Sequence, residues 1–270
     1  MNGNFLDILG NIIVPLIAGG VFFVMAYYIH YVAPLRSLII SPRTYQGAFW
    51  GFVFFGIYLA SRPVQILLGS HPWPLIICNM REFLMVAIFA PAVLIAIMYW
   101  TLDKKYITKE RIGIILGLAV ILSIFFSYVN THAIGGSRVI FKIGSITAHD
   151  GLWFANPDPA THPLMTILFI IRVIDPVGYI LFAGILVWWR RVHYPKDSIY
   201  DKMRLKFVLL QWSLFLFSFS MLFTGFLFVI WDIPNQWWIY YIGAVGAGLL
   251  ELKSILIPPR KVEKLSDNLE

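Results

Sequence analysis

Residues 163–191 read PLMTILFIIRVIDPVGYILFAGILVWWRR. Crossing a hydrocarbon core about 30 Å thick takes about 20 apolar residues at 1.5 Å rise, and this stretch supplies them. It ends on Trp188 and Trp189, aromatic rings suited to a membrane–water interface, and then on Arg190 and Arg191. The stretch therefore reads as one transmembrane helix with its basic end in the cytoplasm. Further apolar runs lie near 11–33, 47–68, 82–100, 112–132, 206–231 and 236–257, which with 163–189 makes seven. The expected fold class is an all-α, seven-transmembrane helix bundle.

Composition agrees. Apolar residues make up 59%, aromatics 17% and charged residues 13% of the 270 residues, and mean hydropathy is +0.77. A water-soluble fold could not bury that much apolar surface.

The basic residues set the orientation, because cytoplasmic loops are enriched in Lys and Arg. Arg36 and Arg43 follow the first run; Lys104, Lys105, Lys109 and Arg111 follow the third. Arg190, Arg191, Lys196, Lys202, Arg204 and Lys206 follow the fifth, and Arg260, Lys261 and Lys264 lie in the tail. The intervening gaps hold Arg81, Arg138 and Lys142, or none. Every second gap is basic, so the N-terminus is expected outside and the C-terminus in the cytoplasm. Residues 1–258 form the membrane domain and 259–270 a basic cytoplasmic tail. The net charge of +7 thus reads as membrane topology and not as a nucleic-acid footprint. The first run has no basic n-region and no small-residue cleavage site, so it is expected to be retained.

Between helices 4 and 5 lies an outer stretch, 133–161, longer than a connector requires. Its first half, GGSRVIFKIGSITAHDG (135–151), alternates β-branched residues between turn signals and predicts a short hairpin-like loop. It serves either as a lid over an outer pocket or as a passive cap. Trp50, Trp73, Trp100, Trp188, Trp189, Trp237, Trp238, Tyr240 and Tyr241 stand near helix ends and read as an interfacial aromatic belt.

Charges inside the membrane are the best functional pointers, since each is costly unless paired or wetted. Arg172 and Asp175 sit three residues apart, on one helical face where they can pair. Pro176 follows, removes a backbone donor and serves as a candidate hinge. Arg62 lies about two turns below the outer surface, and Arg81 and Glu82 open the third run. Turned inward, Arg62, Arg81 and Arg172 would face Glu82 and Asp175 with one net positive charge, suited to an anionic or strongly polar ligand. Turned outward, Arg62 and Arg81 would snorkel, and the Arg172–Asp175 pair would only fix packing.

Cofactor signals are weak. Lys253 on the seventh helix invites comparison with retinal proteins, but it lies near the inner end and the third run offers no mid-membrane counter-ion. Transmembrane bis-histidine haem needs His at matched depths, and His30, His71, His132, His149, His162 and His193 all lie at boundaries or in gaps. His149 and Asp150 are the first metal candidates, though the spacing matches no ligand pattern. The single Cys78 excludes an intramolecular disulfide. No nucleophile elbow, P-loop or zinc-binding helix is present. On the last helix, Gly243, Ala244, Ala247 and Gly248 predict close packing, and Glu251 is expected to pair with a cytoplasmic-side cation.

The N-outside seven-helix layout, the long gap between helices 4 and 5, the short gap DIPNQ (232–236) and the apolar last helix running into a basic tail resemble the seven-transmembrane sensor region of bacterial membrane histidine kinases. That resemblance implies ligand sensing and a helix movement passed to a cytoplasmic domain. The kinase domain is absent here, so the signal is expected to leave through a separate protein partner. The sequence therefore predicts a receptor-like sensor, multi-pass in a lipid bilayer, in a bacterial inner membrane. The alternatives are a structural or anchoring subunit of a membrane complex, and a transporter or membrane enzyme with an outer-side metal site.

Overall fold

The computed structural model describes residues 3–32, 42–68, 73–102, 106–131, 138–143, 146–150, 163–194, 201–229 and 237–257. Among them the chain forms seven helical stretches and one pair of strands. Helix α1 covers 3–32, α2 is Pro42–Leu67, α3 covers 73–101, α4 is Lys109–Thr131, α5 is Pro163–His193, α6 is Asp201–Val229 and α7 is Trp237–Leu256. Strands β1 (Arg138–Ile143) and β2 (Ile146–Asp150) pair antiparallel, with Val139 opposite His149 and a bulge between Val139 and Phe141.

Among the described residues, six helices, α1 to α4, α6 and α7, are long and apolar enough to cross a membrane. α5 has 31 residues, about 46 Å of helix. Large apolar side chains lie on the outside of the bundle, such as Val24, Ile121 and Phe219, each about two-thirds exposed. On a water-soluble protein so much exposed apolar surface would drive association; lipid is the solvent that suits it.

The helices start and stop where backbone chemistry allows. α3 begins nine residues before its most apolar run because Pro74 stands in the first turn, where its missing N–H costs nothing. Pro63 and Pro176 lie inside α2 and α5, which run on through them. Three wide, π-helical turns interrupt the regular winding, at Leu9–Ile13 and Tyr28–Val32 of α1 and at Leu84–Phe89 of α3.

Packing makes a ring in the order α1, α2, α3, α5, α6, α7, closed by α7 against α1, while α4 lies outside it against α3. Between apolar helices in lipid, close van der Waals fit and interhelical hydrogen bonds do the holding. At several joints the fit depends on the absence of a side chain. A Cβ on Gly19 would lie 2.8 Å from Ala60 Cβ, one on Gly243 2.3 Å from Ser220 Cβ, and one on Gly248 2.7 Å from Phe22 Cζ. The small face read on the last helix is therefore a packing face, with Ala244 and Ala247 buried as well. Ser213 and Ser254 hydroxyls add hydrogen bonds across the α6–α7 joint, to Ala247 O at 2.7 Å and Lys206 O at 3.0 Å.

The middle of the ring is aromatic. Phe55 stacks on Phe89 at 4.3 Å and meets Phe22 edge-on at 4.7 Å, while Phe217 bridges Phe55 and Tyr240. This layer separates the Gly3 end of the bundle from the Val32 end.

Tyr240 and Tyr241 correct an expectation. Both are buried, so they belong to the core and not to an interfacial belt. Their position near a helix start suggested the interface, but their hydroxyls face polar groups inside the ring. Trp50, Trp73, Trp188 and Trp189 are exposed near helix ends. The tail 259–270 lies outside the described residues.

Candidate functional site

Below the strand pair, at the Gly3 end, polar side chains from five helices come together. Arg62 is 3% exposed, Arg81 and Glu82 each 7%. Both arginines therefore turn into the ring instead of snorkelling outward.

Arg62 Nη2 donates to Asn11 Oδ1 at 2.9 Å, and Nη1 to Gln65 Oε1 at 3.4 Å. Asn11 sits in the first π-helical turn of α1, where its Nδ2 donates to Asp7 O at 3.0 Å. Asn11 and Gln65 are fully buried. Such wide turns re-aim side chains and recur at functional sites. Here the turn directs the Asn11 amide at the Arg62 guanidinium.

Arg81 reaches across from α3 to α2. Its Nη1 donates to Tyr58 O and to Ser61 Oγ, the latter at 3.2 Å, and its Cζ lies 4.5 Å from the Tyr58 ring centroid. That combination of hydrogen bonds and cation–π contact holds the buried guanidinium. Tyr58 of α2 and Tyr240 of α7 lie near enough for their phenol groups to interact. Glu82 is near enough to Tyr58 and to Asp175 for their charges to interact.

α5 contributes Asp175 and, one turn on, Tyr179. Asp175 Oδ2 and Tyr179 Oη are buried and have no hydrogen-bond partner among the described residues, and the same holds for Gln65 Nε2. Leaving such an atom unmet costs about 1–3 kcal/mol. Among the described residues a donor and two acceptor-capable oxygens are thus left open at one end of the ring.

The strand pair covers part of this end. Phe141 and Ala148 are buried against Ile66 of α2, with Ile8 and Ile12 of α1 packed alongside. Ile66 adjoins Gln65, and Ile12 adjoins Asn11, so the hairpin rests on the residues that carry the Arg62 cluster.

The structure brings Arg62, Arg81, Glu82 and Asp175 to one end of one ring. Pro176 is buried directly after Asp175. The side chains of Arg172, His149 and Asp150 lie outside the described residues; the backbone places Arg172 on α5 and the other two on β2. Among the described residues no group of three or more His, Cys, Asp or Glu comes together. The neutral members, Asn11, Tyr58, Ser61, Gln65, Tyr179 and Tyr240, were not singled out from sequence. Of these, Asn11 and Gln65, each the only Asn or Gln inside its apolar run, were the visible signals.

Glu251 also departs from expectation. It was expected to pair with a cation, yet its carboxyl has no ion-pair or hydrogen-bond partner among the described residues. The buried cation at that end, Lys206, instead lies over the Trp100 ring at 5.6 Å.

Searches against protein-family models, characterised proteins and solved structures find no match to this chain, so the function has to be argued from its own residues.

Proposed function

We propose that this protein is a receptor-like sensor of a bacterial inner membrane. In this reading α5 is the seventh membrane crossing, the Gly3 end faces outward and the Val32 end faces the cytoplasm. A small polar molecule or lipid headgroup enters beneath the β1–β2 hairpin and engages Arg62, Arg81, Glu82, Arg172 and Asp175. One observation carries the proposal: Gln65 Nε2, Asp175 Oδ2 and Tyr179 Oη are buried and, among the described residues, unmet beside two inward-facing arginines. Buried polar atoms without partners are rare in native proteins, and a bound ligand is one way to satisfy them.

Signalling follows from the position of Asp175. It precedes Pro176, whose missing N–H leaves the backbone carbonyl four residues earlier without its helical donor. A ligand that engages Asp175 acts at the weakest point of α5, and a tilt there moves the Arg190–Arg191 end of the helix. A separate protein at the cytoplasmic face receives the movement.

A thermal-shift screen of purified protein against small carboxylates, phosphates and zwitterions tests the reading. A stabilising compound whose effect disappears in Asp175→Asn but persists in Glu251→Gln supports it. The second reading, a structural subunit of a membrane complex, is favoured by α4, which packs on α3 and leaves Ile114, Ile121 and Ile124 almost two-thirds or more exposed. Stoichiometric membrane subunits bound along α4, with no ligand at the Arg62 cluster, would establish that reading instead.

A further inference from the structure

The helix ring does not close evenly. Near the Gly3 end α2 and α3 are in contact through Arg81 and Tyr58. Toward the Val32 end, Gly47, Ala48 and Gly51 of α2 and Ala92 and Ala96 of α3 border a gap. Behind these small residues lies a cavity of about 100 Å³ walled by Phe52, Phe89, Trp100, Leu210 and Leu214. Gly47, Ala92 and Ala96 are exposed, so the gap opens sideways, onto the apolar surface of the bundle.

Among the described residues, Glu251 is the one charged residue on the cavity wall. A smaller void of about 20 Å³, bordered by Phe22, Phe55, Ile180 and Phe217, also touches Glu251. The carboxyl therefore stands where the lateral cavity meets the centre of the ring, below the aromatic layer.

Two further observations make this a site and not a packing defect. The glycines of the gap make no close contact: a Cβ on Gly47 or Gly51 would meet nothing within 4 Å, unlike one on Gly19, Gly243 or Gly248. A side chain at either position would project into open space. The carboxyl itself has no partner among the described residues, and the buried Lys206 is engaged with Trp100.

We propose that this cavity binds a lipophilic amine that enters from the bilayer between α2 and α3. Its protonated nitrogen sits on Glu251 and its chain runs out past Gly51 and Ala96 into lipid. An ionised carboxylate in an apolar pocket is costly unless it meets a cation or several donors. An ammonium supplies both, with three N–H groups and a charge, whereas an alcohol supplies one donor and a fatty acid repels. The cavity holds the amine and its first few carbons, and the gap accommodates a chain but no bulky ring. This site is separate from the Arg62 cluster and stands whether or not that cluster binds a ligand.

The test is photolabelling of the protein in nanodiscs of zwitterionic lipid, with a dodecylamine carrying a diazirine in its chain. Labelling is expected on α2 and α3 peptides, competed by dodecylamine and not by dodecanol or dodecanoate. Glu251→Gln should reduce it by about tenfold or more, as expected for loss of a charged partner. Gly51→Leu should do the same by filling a passage in which no neighbour is displaced, and Asp175→Asn should leave labelling unchanged. Labelling spread over all lipid-facing helices, equal competition by dodecanol, or full labelling of Glu251→Gln would overturn the proposal. If Glu251→Gln fails to fold, full labelling of Gly51→Leu would overturn it alone.

Discussion

Arg62 Nη2 stands 2.9 Å from Asn11 Oδ1, and this contact fastens α2 to a π-helical turn of α1. Both side chains are buried, so neither can exchange its partner for water. Asn11→Ala and Arg62→Ala should each lower stability, and the double variant should lose less than the sum. A coupling of about 1 kcal/mol is expected, the size found for polar contacts between membrane helices. Denaturation of the four proteins in mixed detergent measures it; strict additivity would show that the contact does not form.

Gly243 and Ser220 form the tightest joint of the ring, between α7 and α6. Gly243→Ala should destabilise the bundle by about 1–3 kcal/mol, the usual cost of overpacking. Because the clash involves Ser220 Cβ as well as Oγ, Ser220→Gly should restore stability in the Gly243→Ala background and Ser220→Ala should not. Thermal unfolding of the three variants would distinguish them.

Phe141 anchors the hairpin on Ile66. Phe141→Ala removes most of that small apolar contact, at a cost of roughly 3 kcal/mol. Amide exchange of β1 and β2 should speed up markedly, while exchange in α6 and α7 stays unchanged. Acceleration throughout the bundle would mean that the hairpin supports the whole fold and does not merely cover one end.

Much of this was legible in the sequence, and for a physical reason. A membrane helix must satisfy its backbone internally over about 20 apolar residues, so α1, α2, α4, α5, α6 and α7 could be placed as helices from run length alone. The charged residues Arg62, Arg81, Glu82 and Asp175 stood out because charges are rare in such runs. Their neutral partners did not. Tyr58 and Tyr240 look the same in sequence whether they face headgroups or each other, and only the ring geometry decides. The π-helical turn at Leu9–Ile13 leaves no compositional trace, so the aim of Asn11 was invisible. That Lys206 lies over Trp100 and not on Glu251 is a contact between α6 and α3 that spacing along the chain does not encode.

Orientation can be read with the chain's single cysteine removed. In a Cys78→Ser background, Asn2→Cys should react with a membrane-impermeant maleimide on intact cells, and Asn268→Cys only after the membrane is opened. Seven crossings, α5 included, require opposite sides. Labelling of both positions from one side would mean an even number of crossings and would remove the outward placement of the Arg62 cluster.

The most direct measurement is native mass spectrometry of the protein released from mild detergent, with wild type, Asp175→Asn and Gln65→Leu compared side by side. A small molecule or lipid carried at one copy per chain by the wild type, and lost from both variants while they remain folded, is the predicted result. Wild-type protein that retains no small molecule but holds other membrane subunits in fixed ratio would contradict the sensor, and the cluster of Arg62, Arg81, Glu82 and Asp175 would then be a device for packing helices.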